Sequence, residues 1–538
     1  MKKLFTVFLS LCAVLSLASC GGGKKDSDNE EEVPVNMKAW TMHSFEKTVV
    51  NAAPTGDMST EYTVYLAKGE TEGCQVAVYS DTEIKNVSLR RKSGETDLIK
   101  PATFSMDKTQ KVGKKQYTDA LIPYGGKRLT VEPKVILPFM IEFTTDENTP
   151  AGDYEYVYEL KDKDNNVYAT FNITVHVWDF EIPKEKTFAT AIGLHHKFIG
   201  YYKGTYKDWY DTLLDHNMSA VNLPYDILDP RADAYMSDPR VTSFRLPYPE
   251  NEDGTINEEK LLEYYNKLLT NAVWLKKAYL YPLDEPHTEE QLAELKEWEK
   301  KFRELCPKLE IVSPFYTNIQ IGTEKRDQTD FMEEFTDLWC PKLCLWDDER
   351  SYGDFLNYTP SKTFHERMDE QIAKGDRMWA YVCNDPNNPY AQLFLDTDGV
   401  VQRLMFWQIY QRDIKGFLYW SSCWYATDND GNIQDPWENA KSIVDGDGKI
   451  IYGEGWFLYP GSPVGYGGAC PSIRAKIIRD GIDDIEMFYL AEKYLDKEWI
   501  VEKTKEGTPT LTEYTNSDKY ASLRIEIGNA LEAAINNK

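Results

Sequence analysis

Up to about residue 183 the chain alternates apolar and polar positions. Phe171, Ile173, Val175 and Val177 interleave with Asn172, Thr174 and His176, the period of two that belongs to a half-buried β-strand. Residues 154–160 precede that strand across the turn-rich 161–166, which predicts a hairpin. Residues 62–66, 75–79 and 135–143 have the same character, and so many short strands in sequence predict a β-sandwich over 37–183. From 184 onward short apolar runs alternate with segments of helical spacing. The runs are 189–194, 220–223, 278–283, 310–315, 338–345, 378–383, 416–421 and 456–459. They predict a (β/α)8 TIM-like barrel with C-terminal helices over 184–538, with a doubly wound sheet as the alternative.

The stretch 277–305 carries the densest chemical signal. Ala278, Tyr279, Leu280 and Tyr281 suit a buried strand, after which Pro282 and Pro286 bracket Asp284 and Glu285. Thr288 and Gln291 have capping-box spacing, and Leu292, Leu295, Phe302 and Leu305 continue as a helix. Two adjacent carboxylates thus stand where a strand gives way to a helix, the face that carries active sites in a β/α barrel. A solvated acidic turn at a helix N-terminus is the plainer reading of the pair alone.

The first residues form a leader. Lys2 and Lys3 precede the apolar run 4–17 and then Leu17-Ala18-Ser19-Cys20, a secretory signal whose ending resembles a bacterial lipobox with Cys20 as the lipidated residue. The run is short of the roughly 20 residues of a membrane span. Residues 1–19 are read as the signal peptide and 20–36, polar throughout its first part, as a disordered tether. The expected location is that of an exported bacterial lipoprotein, on the outer membrane or cell surface and joined to the membrane by its lipid.

Charge then narrows the partners. The formal net charge of −27 argues against nucleic acid, whose phosphates need clustered cations. Beyond Cys12 and Cys20 seven cysteines remain, an odd number placed mostly in apolar runs, so they read as small buried hydrophobes rather than a disulfide framework. Cys340 and Cys344 lack a second ligand pair, and no metal site is expected. There is no GxGxxG or Walker loop, no HExxH and no GxSxG, so no cofactor is expected either.

Aromatic and polar residues collect at the predicted strand ends: His195 and His196, Tyr316 and Asn318, Trp346 and Asp347, Trp379, Tyr381, Asn384 and Asp385, Tyr419, Trp420, Trp424 and Tyr425. Any single ring among them is as well explained by core packing. Grouped about an acidic pair they favour a saccharide cleft, because aromatic faces stack on the C–H faces of sugar rings. The substrate-binding set expected is His195, Tyr316, Asn318, Trp346, Trp379, Tyr381, Trp420 and Trp424.

The segments YLYPLDEP, RMWAYVCNDPNNPY, GFLYWSSCWY and YPGSPVGYGGACPSIRAKIIRDGIDDIE, with AKGETEGCQVAVYS before them, together resemble glycoside hydrolase family 123 and its related set of mostly unassigned proteins. That resemblance implies an exo-acting β-N-acetylgalactosaminidase that uses the substrate's own acetamido group. Glu285 would be the general acid/base, and Asp284 would orient and polarise the acetamido nitrogen. The chemistry is coherent with the spacing. Neighbouring residues of a regular strand face opposite ways, so Asp284 and Glu285 cannot straddle a glycosidic bond as a retaining carboxylate pair does. If the chain leaves strand geometry at Asp284, both reach one pocket from one side, and the nucleophile must come from elsewhere. Two rivals stand beside this: a surface glycan-binding lipoprotein without catalysis, and a conventional two-carboxylate retaining glycosidase with Asp347 or Asp385 as nucleophile.

Overall fold

The structure, a computed structural model, describes residues 36–538 except 57, 95–97, 254, 317, 322–323, 348–360, 429, 446–447 and 538, and except the side chains of 318–321 and 324–325. The leader, Cys20 and the tether lie outside the described residues. The described residues contain no helix long and apolar enough to cross a membrane.

A strand-rich N-terminal region is followed by one of mixed helix and strand. In the first, two five-stranded sheets face each other. One runs in the order Lys38–His43, Thr71–Tyr79, Leu137–Thr144, Lys100–Ser105, Ile122–Pro123; the other Glu61–Lys68, Val167–Glu181, Gly152–Lys161, Ile84–Ser93, Leu129–Val131. Phe171, Ile173, Val175 and Val177 meet Val76, Val78, Phe139, Ile141 and Phe143 between the sheets. The alternation that fails in Thr71–Tyr79 and Leu137–Thr144 has a physical cause. Their outer faces are covered as well, with Met140 in the large core of the second region and Glu142 accepting from Lys476 at 2.7 Å.

In the second region the backbone pairs short parallel segments in succession. Ala189–Ile192 lies beside Gly416–Tyr419 on one side and bridges Ala220 on the other. Arg245 N–H donates to Val221 O at 2.8 Å, and Phe244–Arg245 pairs with Ala278–Leu280. Glu310–Phe315, Leu338–Pro341 and Arg377–Met378 follow in turn. Ala380–Tyr381 then pairs with Gly416–Tyr419. One predicted run is corrected here. In 456–459 the strand is Leu458–Pro460, and it pairs antiparallel with Ala469–Pro471, outside this succession. Its place is taken by Phe244–Arg245, two residues long and set among prolines and polar residues, too short to leave a periodic trace.

The helix Ile473–Ala491 explains the segment RAKIIRDGIDDIE. It is buried on nearly every side, and its charges pair with the sandwich and with neighbouring helices of the second region. Arg474 pairs with Asp119 at 2.7 Å, Lys476 and Arg479 with Glu142 at 2.7 and 2.8 Å, and Asp484 with Arg403 and Arg524 at 2.8 and 2.7 Å. Arg403 also reaches Glu72 at 2.8 Å. These charges are structural.

Candidate active site

The parallel segments end on one cavity of about 640 Å³, lined by residues in their last positions or just after them: Leu194 and His195, Asn222, Arg245, Tyr281, Asp284 and Glu285, Pro314, Tyr381 with Cys383 and Asn384, and Tyr419 with Trp420. Glu454 completes the wall.

Strand pairing stops at Leu280, and Asp284 and Glu285 fall in the turn before the helix Glu289–Leu305. That helix starts at the predicted capping box of Thr288 and Gln291. Glu285 adopts φ 41°, a left-handed backbone that costs a side-chain-bearing residue on the order of 1–3 kcal/mol and concentrates at functional sites. The departure from strand geometry lets both carboxylates line one cavity. Asp284 is exposed, with Oδ1 accepting from the Tyr281 hydroxyl at 2.6 Å. Glu285 is half-buried and its Oε1 accepts from the Tyr381 hydroxyl. Burial pushes its carboxyl above the ordinary range; the Tyr381 hydrogen bond and the Lys342 charge work against this, while Asp284 and Asp385 add to it.

Of the aromatic set, Tyr381 and Trp420 line the cavity. Trp424 is 42% exposed beside them, 5.7 Å from the Trp420 ring and edge-on to His195 at 5.0 Å. The His195 ring has a buried Nε2 with no partner among the described residues, and burial lowers its pKa. Tyr316 adjoins rather than lines the cavity, with its ring over His287 and Lys342 Nζ 5.1 Å from its centroid. Asn318 sits in a hairpin strand, Asn318–Ile321, and its side chain is outside the described residues.

Two rings are corrected from substrate-binding to core. Trp379 is 2% exposed and packs edge-on against Tyr279 at 5.2 Å. It shares an inward face with Tyr381 two residues on, one layer deeper, so only the upper ring reaches the cavity. Trp346 is carried away by a turn of 3-10 helix, Leu343–Trp346, and buried against Phe364 at 5.2 Å. Asp347, capping that turn, accepts from the Tyr390 hydroxyl, and Asp385 is paired with Lys342 at 2.7 Å. Neither is among the cavity's lining residues.

Glu454 is the lining residue that the sequence reading passed over. It is buried, with Oε2 accepting from the Tyr419 hydroxyl at 2.6 Å and Oε1 from the Trp420 indole N–H. Burial raises its pKa against the pull of those two donors. Flanking Gly453 and Gly455 both take φ 74°, and a Cβ on Gly455 would stand 2.2 Å from the Trp420 ring. The signal was a carboxylate between two glycines directly before Trp456. Arg245 and Asn222 were missed too, joined by Nε to Oδ1 at 3.2 Å. The described cysteines form no disulfides, and all but the half-buried Cys383 are buried. The described residues hold no cluster of metal-ligating side chains.

Residues 249–491 match the family model described as the glycoside hydrolase 123 catalytic domain. Over those residues the chain is similar to a family 123 catalytic domain. The match supports glycoside hydrolase activity, with a glycan as substrate class. A solved family 123 glycoside hydrolase from Clostridium perfringens, described for glycolipid glycan hydrolysis, shares 14% identity and superposes with TM-score 0.59, covering 93% of this chain and 98% of its own. That likeness extends the family 123 fold to the strand-rich region ahead of the matched segment. An endo-β-1,4-mannanase from Thermotoga petrophila, at 12% identity over 56% of this chain and 77% of its own, reaches a TM-score of only 0.30 and carries no argument. No curated protein sequence matches the chain.

Proposed function

We propose that the protein is a retaining, exo-acting β-N-acetylhexosaminidase, β-N-acetylgalactosamine first, working by substrate assistance. The observation that carries this is the placement of sequence neighbours Asp284 and Glu285 on one cavity. Burial of Glu285 favours the protonated form that a leaving oxygen needs; Tyr381 fixes one carboxyl oxygen and leaves the other for that proton. Asp284 is pinned through one oxygen by Tyr281, so its other oxygen accepts from the acetamido N–H. The acetamido oxygen then attacks C1 as the aglycone bond breaks and takes the Glu285 proton, forming an oxazolinium ion. Glu285, now a carboxylate, deprotonates the water that opens it, with net retention.

Trp420 offers a face to the sugar in the cavity, and exposed Trp424 one to the aglycone. The glycolipid glycan chemistry of the Clostridium perfringens relative makes a membrane-borne glycan a candidate substrate here. The (β/α)8 reading of the second region is supported by the parallel pairings, which leave Gly416–Tyr419 through Ala189–Ile192 and return to it through Ala380–Tyr381. Division at 183/184, export, and lipidation at Cys20 remain part of the proposal. The last is tested by mass spectrometry of the N-terminus from membrane-expressed protein, where an unlipidated mature chain would end it.

One observation favours a second reading. Glu454 is a further carboxylate on the cavity, and a conventional retaining enzyme needs one opposite its acid. Burial and two donors on its oxygens make it a poor nucleophile. The experiment is a comparison of aryl β-GalNAc, β-GlcNAc and β-galactoside turnover with inhibition by an oxazoline-mimicking thiazoline. Turnover of the acetamido sugars alone and strong thiazoline inhibition are expected. A fluorosugar adduct on Glu454, Asp347 or Asp385 without thiazoline inhibition would overturn the substrate-assisted mechanism. Binding of all three sugars without turnover would leave a glycan-binding protein.

A further inference from the structure

The sandwich carries a second groove, of about 840 Å³, at the open edge between its sheets. Its walls are Leu89, Arg90, Arg91, Ile99, Lys100 and Tyr124, with Gly125 and Gly126 closing one end. In a chain of net charge −27 such a run of cations stands out. The neighbouring cations are spoken for: Lys92 by Glu159 at 2.6 Å, Lys127 by Asp107 at 3.2 Å. Arg90, Arg91 and Lys100 form no ion pair with any described carboxylate.

The groove is built rather than incidental. Arg90 is anchored by Nε to Ser88 Oγ at 3.2 Å and by Nη2 to Gly126 O at 2.7 Å. Gly126 has φ 74°, and a Cβ there would lie 2.2 Å from the Arg90 Nη1. Glycine therefore lets the guanidinium lie flat against the backbone. Both arginines border the groove although they are consecutive in regular register, opposite Glu159 and Tyr158. The Tyr124 hydroxyl accepts from Leu89 N–H at 3.2 Å and donates to Lys127 O at 2.6 Å, holding the glycine turn beside the arginines.

We infer that this groove binds an acidic saccharide, a sugar chain bearing sulfate groups, independently of the catalytic cavity. Guanidinium donors match sulfate oxygens, and the volume suits a few sugar rings. Screening limits electrostatics to about 8 Å at physiological salt, so a sulfate inside the groove sees chiefly these cations. An anionic bilayer or a nucleic acid would instead bring its charge against the broadly acidic surface. For a protein that acts on glycans, such a groove would hold the acidic chain near the cavity.

The test is calorimetric titration of the full chain with chondroitin sulfate, desulfated chondroitin and neutral galactan, with sedimentation of equimolar phosphatidylcholine–phosphatidylglycerol vesicles alongside. Chondroitin sulfate should bind more tightly than either other polymer, and added salt should weaken it. Arg90→Gln with Arg91→Gln should weaken binding by about tenfold or more, without lowering the melting temperature. If the loss of the Arg90 anchor unsettles the turn, Arg91→Gln with Lys100→Gln gives the same readout with the anchor intact. Glu285→Gln should bind like wild type, which separates this groove from the catalytic reading. Equal binding by wild type and both variants, no binding of chondroitin sulfate, equal affinity for galactan, or capture by the vesicles in preference to the polysaccharide would each overturn the inference.

Discussion

Around the helix Ile473–Ala491, buried carboxylates are matched to cations: Asp484 to the guanidiniums of Arg403 and Arg524, Glu142 to the guanidinium of Arg479 and the ammonium of Lys476. In the cavity Glu285 and Glu454 are also removed from water, but their near partners are hydroxyls and an indole N–H. Burial pushes all four pKa values up. At the contact face cations more than reverse it, holding Glu142 at about 2 and Asp484 lower still, whereas in the cavity burial prevails. A buried carboxylate is thus held as an anion in one place, while in the other burial favours its protonated form, the form the proposed mechanism asks of Glu285. What separates these four is a direct ion pair, which Glu142 and Asp484 have and Glu285 and Glu454 lack among the described residues.

The comparison breaks first at Glu285. Glu285→Gln should lower kcat/KM about 10²- to 10⁴-fold on substrates with poor leaving groups while the melting temperature holds. In the wild type, because the acid form is the active one, kcat/KM should fall as pH rises through a pKa above the ordinary glutamate range. A Glu285→Gln protein that unfolds instead would place this residue with the structural charges.

Arg403→Met tests the other side. It leaves Glu72, Asp480 and Asp484 short of a partner and should cost about 3–5 kcal/mol in urea unfolding, with kcat of the folded fraction unchanged. Acid should act on the same face more gently. Glu142 has a depressed pKa, so its stabilisation is complete above the ordinary glutamate value and is lost as pH falls toward about 2. The melting temperature should drop across that window in wild type, and drop less in Glu142→Gln.

Smaller effects sharpen the cavity. Glu454→Gln should keep its shape and weaken substrate binding by about 1–3 kcal/mol, read as KM rather than melting temperature. Trp424→Ala should cost roughly 0.5–1.5 kcal/mol, and only for substrates with a sugar aglycone. Equal loss on an aryl glycoside would move Trp424 from the aglycone side into the sugar site.

Much of this was legible along the chain because it is local. The period of two in 171–177, the capping box at Thr288 and the prolines around Asp284 each act within a few residues. These fixed the sandwich strands and located the acidic pair at a strand-to-helix turn. Tertiary structure decided what depends on partners far apart in sequence. Whether Trp379 is core and Tyr381 cavity depends on which layer of the interior each ring fills. Glu454 joins the cavity because Tyr419 and Trp420, more than thirty residues earlier, turn their donors to it. The charges of RDGIDDIE are structural because sandwich residues come to them across more than three hundred positions: Glu142 meets Arg479, and Glu72 shares Arg403 with Asp484. A charged side chain carries no mark of its role in its own neighbourhood. Burial and the sign of what is buried with it are assigned only when the chain closes on itself.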